Sequence, residues 1–460
     1  MLFNSAIYLL FLPLVAVLYY ALPLWWRRVM LVIASYGFYM VWSVPFSSLL
    51  VFSTIIDYTA ARVIDGSKSP VKQRIALLVS LTANLGVLAV FKYADFFTNS
   101  SYSLFGTRPW PELNLILPLG ISFYTFQTMS YTIDVYRGHL RARKSFMDVA
   151  LYVSFFPQLV AGPIIRADIL IPQLREENEA NWQLIRAGIA LIIWGLIKKM
   201  FFADAMAPIV NEAYNNISAT SGWSLLSATY AFAIQIYCDF SGYTDIAIGS
   251  ALVIGIRLPA NFRQPYLSCS IREFWRRWHI SLSTWLRDYL YIPLGGSKKG
   301  PSRTQINLML TMLLGGLWHG AGWNWVVWGG LQGVMMIVER AIGLSESRPK
   351  KVMTIIIRWF VTFNLVCLSW VFFRAANVGD AWEVLTRIGT AAEGRSFTLW
   401  QPIAVLGLLL IVEMLHIRKR FVSILQQSPR LALWITIFAF MFFLLAFRGA
   451  QSPEFIYFQF

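Results

Sequence analysis

Residues 6–28 read AIYLLFLPLVAVLYYALPLWWRR. Nineteen residues without a charge, Ala6 to Leu24, run into two tryptophans and two arginines. A helix of that length, rising about 1.5 Å per residue, covers a hydrocarbon core of roughly 30 Å. The aromatic pair suits headgroup depth and the arginine pair the water beyond it. No basic residue precedes the run and no small-residue cleavage pattern closes it, so it reads as a retained helix entering from outside, not a signal peptide.

The pattern recurs along all 460 residues, 57% of which are hydrophobic. Spans are expected at 6–24, 29–45, 47–64, 75–91, 115–136, 183–202, 223–239, 241–256, 305–322, 324–341, 354–374, 400–416 and 431–447, with a shorter Pro- and Gly-containing apolar stretch at 147–165. These runs are continuous rather than alternating, so they require helices and not barrel strands. An all-α polytopic integral membrane protein is expected, as a single membrane-embedded domain over 1–460 with its motif-bearing core at 115–341.

The net charge of +16 is spread over short basic clusters between apolar runs: Arg27-Arg28, Arg62 to Arg74, Arg137 to Lys144, Lys298 to Arg303 and His416 to Arg420. That distribution follows the positive-inside rule and is not a nucleic-acid footprint. Arg137–Lys144 and 257–303 both belong in the cytoplasm, so an even number of crossings must separate them. Three firm spans lie between, so either 147–165 also crosses or one segment is re-entrant. The three cysteines, Cys238, Cys269 and Cys367, form no CxxC and read as small core residues.

Three stretches carry chemistry. IREFWRRWHISLSTWLRDYLYIPLGG, Ile271 to Gly296, has helical periodicity: Phe274, Trp275, Trp278, Leu282, Trp285, Leu286 and Tyr289 make an aromatic face, and Arg272, Arg276, His279, Ser283 and Arg287 a polar one. The arginines either anchor phospholipid phosphates or receive an anionic substrate. LLGGLWHGAGWNW, Leu313 to Trp325, places His319 in an apolar run among glycines and tryptophans. An ionisable group there is costly and by default marks function, and neutral imidazole takes and returns a proton near pH 7; the plainer alternative is a structural hydrogen bond. QIYCDFSGYTDIAIG, Gln235 to Gly249, sets Asp239, Ser241, Tyr243 and Asp245 into an apolar stretch, with a helix break expected at Gly242. It is either a polar knot between helices or a lining for a substrate path. His139 and His416 lie in basic loops and are expected to be solvated. No G-x-S-x-G elbow, P-loop, HExxH or metal-ligand spacing is present.

These motifs, with FKYADFF at 91–97, LPLGISFYTFQTMSYTIDVYRG at 117–138, FFPQLVAGPIIR at 155–166, NFRQPY at 261–266 and FIYFQF at 455–460, make the chain similar to the membrane-bound O-acyltransferase family over nearly its whole length. It resembles most closely the bacterial branch that O-acetylates alginate, and more loosely the D-alanyl transfer proteins of teichoic acid synthesis. The resemblance implies a ring of about 11–14 transmembrane or re-entrant helices around a central tunnel, in a bacterial inner membrane. It implies catalytic histidines at His319 and His279, an exported SGNH-hydrolase-like partner, and a polysaccharide acceptor: alginate, another exopolysaccharide or peptidoglycan.

The expected reaction is acyl transfer from a thioester, most simply acetyl-CoA used as substrate with no tightly bound cofactor, to a hydroxyl. Trp318, Trp323, Asn324 and His279 are candidate oxyanion donors. Arg272, Arg276 and Arg287, read from charge and periodicity, are candidates for the CoA phosphates, and Asp239, Tyr243 and Asp245 for the substrate path. Carrier-bound acyl donors, as in D-alanyl transfer, and a flippase of an acylated carrier are the alternatives; lipid is a partner under every reading.

Overall fold

A computed structural model describes residues 1–160, 162–344, 351–396, 400–429, 435–437 and 455–456. Helix dominates, and among the described residues β-structure is confined to an isolated bridge between Thr220 and Arg395. The chain divides into two compact units, Met1–Ile192 with Thr244–Pro259, and Ile193–Tyr243 with Ala260–Phe460.

In the first unit Val44–Gly66, Pro70–Leu88 and Ile121–Tyr136 meet around a buried carboxylate. Asp57 accepts hydrogen bonds from the Ser80 hydroxyl, from Asn84 Nδ2 at 2.9 Å and from Thr132 Oγ1 at 2.8 Å. Ser53 donates to Asn84 Oδ1 at 2.9 Å, so the polar set is closed by its own members. Satisfied groups of this kind are what a helix bundle without interior water must provide.

The helix Pro70–Leu88 continues through a wide turn, Ala89–Tyr93, into Ala94–Phe105, well past the expected end at 91. The run expected from 115 becomes helical only at Ile121, after Gly120 with φ +71°. A Cβ on Gly120 would lie 2.6 Å from the Leu159 carbonyl oxygen, so that position needs glycine for space as well as for conformation. The stretch 147–165 is broken: Phe146–Ser154 ends at Phe155, a four-residue turn Phe156–Leu159 follows, and the Phe156 N–H donates to Ser35 Oγ at 3.1 Å.

Two expected spans, 223–239 and 241–256, are one helix of 32 residues, Gly222–Val253. Gly242 does not bend it. Glycine is there for packing, because a Cβ would sit 2.7 Å from the Gly195 carbonyl oxygen. At about 1.5 Å per residue the helix is about 48 Å long, which exceeds one hydrocarbon core. Between the two basic segments, Trp182–Ile197 and Gly222–Val253 are then the two longest helices.

Among the described residues three helices are long and apolar enough to cross a membrane by composition alone, Val44–Gly66, Pro70–Phe105 and Val352–Arg374. Trp400–Met414 and Ile417–Gln427 form a further pair, bent by 56° at His416. The remaining long helices carry the buried polar groups that lower their hydropathy. Of the expected span 431–447 only 435–437 lies within the described residues. Short helices at Ala167–Arg175, Asp204–Asn215 and Val378–Gly389 were not expected from periodicity. Cys238 and Cys367 are buried free thiols, and Cys269 is a part-exposed one.

The helix Ile271–Gly296 expected in the second unit is two short ones, Ile271–Arg277 and Ile280–Leu286, followed by a wide turn Arg287–Tyr291. His279 occupies the break with φ +42°, a conformation costly for a residue with a Cβ. Pro301–His319 and Trp323–Ala341 pack as a hairpin at backbone distance. A Cβ on Gly316 would collide with the Trp325 carbonyl oxygen and lie 3.1 Å from Gly329 Cα. The neighbouring Gly315 would meet only the tip of the Leu286 side chain, at 3.3 Å. Gly316→Ala is therefore expected to destabilise the protein by about 1–3 kcal/mol, the usual cost of overpacking, whereas Gly315→Ala stays near neutral. Melting of the two purified variants in detergent checks this; equal melting temperatures contradict the backbone contact.

Candidate active site

The break at His279 is held by NFRQPY. Asn261 accepts through Oδ1 from the Ser281 N–H at 3.1 Å and the Ser281 hydroxyl at 2.9 Å, and its carbonyl accepts from the Ile280 N–H at 2.9 Å. It thereby supplies from a separate strand of chain the caps that Ile280–Leu286 lacks locally. The Arg263 N–H donates to the Arg277 carbonyl at 2.9 Å, covering the end of the preceding helix. The same Asn261 Oδ1 stands 3.3 Å from His279 Nδ1.

His279 is wholly buried, with its ring 4.7 Å from Phe240, 5.9 Å from Trp318 and 6.4 Å from His319, centroid to centroid. His319 is the last residue of Pro301–His319 and is 5% exposed. Its ring lies 4.9 Å from Trp318, 5.2 Å from Trp328, 5.4 Å from Phe373 and 6.3 Å from Trp325. The two histidines, forty residues apart in sequence, thus share one aromatic chamber.

His319 also lines a cavity of about 460 Å³ that four arginines enter from the exposed side: Arg272, Arg276, Arg287 and Arg340. Trp275, Ser283, Thr311 and Trp328 wall it between. Arg287 pairs with Asp288 at 2.7 Å, whereas Arg272, Arg276 and Arg340 make no ion pair among the described residues. Cations without a counter-ion thus share a cavity with a buried imidazole, an arrangement that can attract an anion.

Periodicity placed Arg272, Arg276 and Arg287 together correctly although the helix is broken between them, because the turn at His279 keeps both halves facing the cavity. His279 itself leaves that face and is buried behind it. Arg340 was missed, since it lies in another helix with nothing in its local sequence to tie it to the stripe. Trp328 was missed as one tryptophan among several.

The other candidates are placed elsewhere. Trp318 is buried beside both histidines but does not line the cavity. The Asn324 amide donates to the Phe372 and Ala375 carbonyls, at 3.3 and 3.0 Å, capping the end of Val352–Arg374; Trp323 is 53% exposed. Asp239 is buried in an ion pair with Lys199 at 2.9 Å, which also holds Asp204 at 2.8 Å. Its second oxygen accepts from the Ile456 N–H at 2.7 Å, and the Phe455 ring stacks on Tyr243 at 4.2 Å. The FIYFQF motif is thus docked through its first two residues on this knot, and neither Asp239 nor Tyr243 lines the arginine cavity. Asp245 is buried in the first unit. His139 is exposed beside Asp134, as expected. His416 is not simply solvated: its Nδ1 lies 2.6 Å from Gln264 Nε2, at the bend between two helices.

A buried histidine and four exposed arginines thus line one cavity in a chain of membrane helices. The chain belongs to the membrane-bound O-acyltransferase family, whose model matches residues 71–378, and is an O-acyltransferase. It is 44% identical over 390 residues to the probable alginate O-acetylase AlgI of Azotobacter vinelandii, covering 84% of this chain and 77% of that protein. It is 37% identical over 417 residues to the peptidoglycan O-acetyltransferase of Helicobacter pylori, covering 84% and 79%. A teichoic acid D-alanyltransferase of Bacillus subtilis is more distant, 28% identical over 293 residues, covering 59% and 74%. The likeness to the alginate branch over the D-alanyl branch agrees with the motifs.

Asp239→Ala is expected to cost about 3–5 kcal/mol, because it strips a buried lysine of one of its two carboxylates and the Ile456 N–H of its acceptor. The readout is thermal melting in detergent. A variant that melts like wild type yet has lost acyl transfer would put Asp239 on the substrate path instead.

Proposed function

We propose that the protein transfers an acetyl group from acetyl-CoA on the cytoplasmic side of a bacterial inner membrane to a hydroxyl destined for an exported or cell-wall polysaccharide, with an exported SGNH-hydrolase-like partner completing delivery. One observation carries this reading: the buried His319 and four exposed arginines line a single cavity of about 460 Å³. The relatives' names, alginate O-acetylase and peptidoglycan O-acetyltransferase, support the acetyl group and the polysaccharide class. Several cations at the mouth suit a donor with several phosphates, whereas the prosthetic arm of a carrier protein brings one.

The chemistry asks little of the protein beyond placement. His319 takes the hydroxyl proton as that oxygen attacks the thioester carbonyl carbon. A C–O bond forms and the carbonyl oxygen gains charge. The intermediate collapses, the C–S bond breaks with its electron pair on sulfur, and His319 returns the proton to the thiolate. His279, 6.4 Å from His319 by ring centroid, positions this centre. Trp318, Trp325 and Phe373 keep bulk water from competing as the acceptor.

His319→Ala is expected to abolish acyl transfer with little loss of folded protein, and His279→Ala to lower turnover at least about a hundredfold. Turnover assays beside size-exclusion profiles separate lost chemistry from lost folding, and an active His319→Ala enzyme removes His319 from the reaction. The same assay run with acetyl-CoA against carrier-bound acetyl tests the donor.

Arg276→Gln is expected to raise the KM for acetyl-CoA about ten- to hundredfold while leaving kcat nearly unchanged, because phosphate is held equally in ground and transition states. Wild-type KM should rise with salt for the same reason. If KM stays flat and the melting temperature instead follows the anionic lipid content of the vesicles, the arginines anchor lipid.

A further inference from the structure

We infer that the indole N–H of Trp328 is the donor that stabilises the oxyanion formed at the thioester carbonyl. The inference rests on the proposed role of His319 and goes beyond it by supplying the second half of the catalytic pair. An acyl transfer needs a base on the attacking hydroxyl and a donor on the carbonyl oxygen, both within about 3 Å of one reacting group.

Trp328 meets that requirement by position. It is 1% exposed and lines the cavity that His319 lines. Its ring is 5.2 Å from the His319 ring and nearly perpendicular to it, at 88°. The two rings are therefore in edge-to-face contact, and both border the same cavity.

It also meets the requirement by availability. Three other neutral donors along the cavity wall are committed: Trp275 Nε1 to Gln332 Oε1 at 3.1 Å, Ser283 Oγ to the Trp278 carbonyl at 3.3 Å, and Thr311 Oγ1 to the Asn307 carbonyl at 2.6 Å; the Thr284 and Tyr291 hydroxyls also line it but belong to part-exposed residues. Trp328 Nε1 is buried without a partner. Buried N–H groups are rarely left so, and one beside a reactive imidazole is explained if its acceptor arrives with the substrate. As the C–O bond forms and negative charge builds on the carbonyl oxygen, the N–H···O bond strengthens. It relaxes when the C–S bond breaks and the charge leaves on sulfur, and the indole gains or loses no atom.

Trp370 provides the control. It stacks on Trp328 at 5.6 Å and 17°, is equally buried, and has an equally unpartnered Nε1, but it does not line the cavity. Vesicles from the native cell, which contain the acceptor and any partner, are supplied with radiolabelled acetyl-CoA, and polymer-bound acetate is measured. Trp328→Phe should lower kcat about 10²- to 10³-fold while shifting the KM for acetyl-CoA less than about threefold, the loss seen when one oxyanion donor is removed. Trp370→Phe should keep kcat within about threefold of wild type. Replacement of Trp328 by benzothienylalanine, which keeps the indole shape and puts sulfur in place of N–H, should reproduce the Trp328→Phe loss without any change in packing. If His319→Ala is inactive but the benzothienyl variant turns over like wild type, the inference is overturned and the proposed function stands. If His319→Ala also turns over, the reading of the site has failed with it.

Discussion

The break in the helical path at Trp278–His279 is the constraint on which the site depends. Inside a bilayer a chain that leaves the helix must find partners for the backbone groups it frees, and each group left bare costs several kcal/mol in hydrocarbon. Asn261 and Arg263 provide those partners, through the bonds to Ile280, Ser281 and the Arg277 carbonyl. A straight helix from Ile271 to Gly296 would carry His279 on the same stripe as the arginines. The turn instead sends His279 into the aromatic chamber and leaves Arg272 and Arg276 on one side of the break and Arg287 on the other, all facing one cavity. NFRQPY is thus half of the motif that follows it, since it provides the capping groups the second helix cannot.

The other wall is set by glycine. Gly316 and Gly329 let Pro301–His319 and Trp323–Ala341 touch backbone to backbone, and small residues are the means by which membrane helices achieve this. Where the two helices are closest the side chains have to go outward, and Trp318, Trp325 and Trp328 close around the imidazole that ends the first helix. The aromatic chamber is therefore a product of close backbone packing, and a larger residue at Gly316 would move its walls as well as strain its helices.

What the sequence made legible follows from what hydropathy can see. The existence of most helices, the three motif clusters and the convergence of three arginines were readable, because apolar length and period are local properties. The fusion of 223–239 with 241–256 was not, because glycine is read as a breaker unless a neighbouring backbone is known to press on it, as the Gly195 carbonyl presses on Gly242. The break at His279 was unreadable for a related reason: its cause is Asn261, eighteen residues away, and not any helix-breaking residue at 278–279. Trp328 and Arg340 share this limit. An indole whose N–H has no partner looks in sequence like one whose N–H is satisfied, and an arginine in one helix does not announce which cavity it enters.

Charge and chemistry are kept apart along the cavity, and this separation makes an acyltransferase of the arrangement. Arginine is strongly solvated and always charged, so it belongs where water reaches, and Arg272, Arg276, Arg287 and Arg340 are all exposed. Proton transfer to an attacking hydroxyl needs the reverse, a base with little water nearby, and His319 is 5% exposed among aromatic rings. In the reaction proposed above, a substrate that is anionic at one end and thioester at the other would bridge the two environments without either being compromised. Within the same unit Asp239 does not line the cavity and is neutralised by Lys199 in its own knot, so it adds no free negative charge there. Loss of that insulation would oppose the transition state directly, because charge of the same sign repels most where dielectric screening is least.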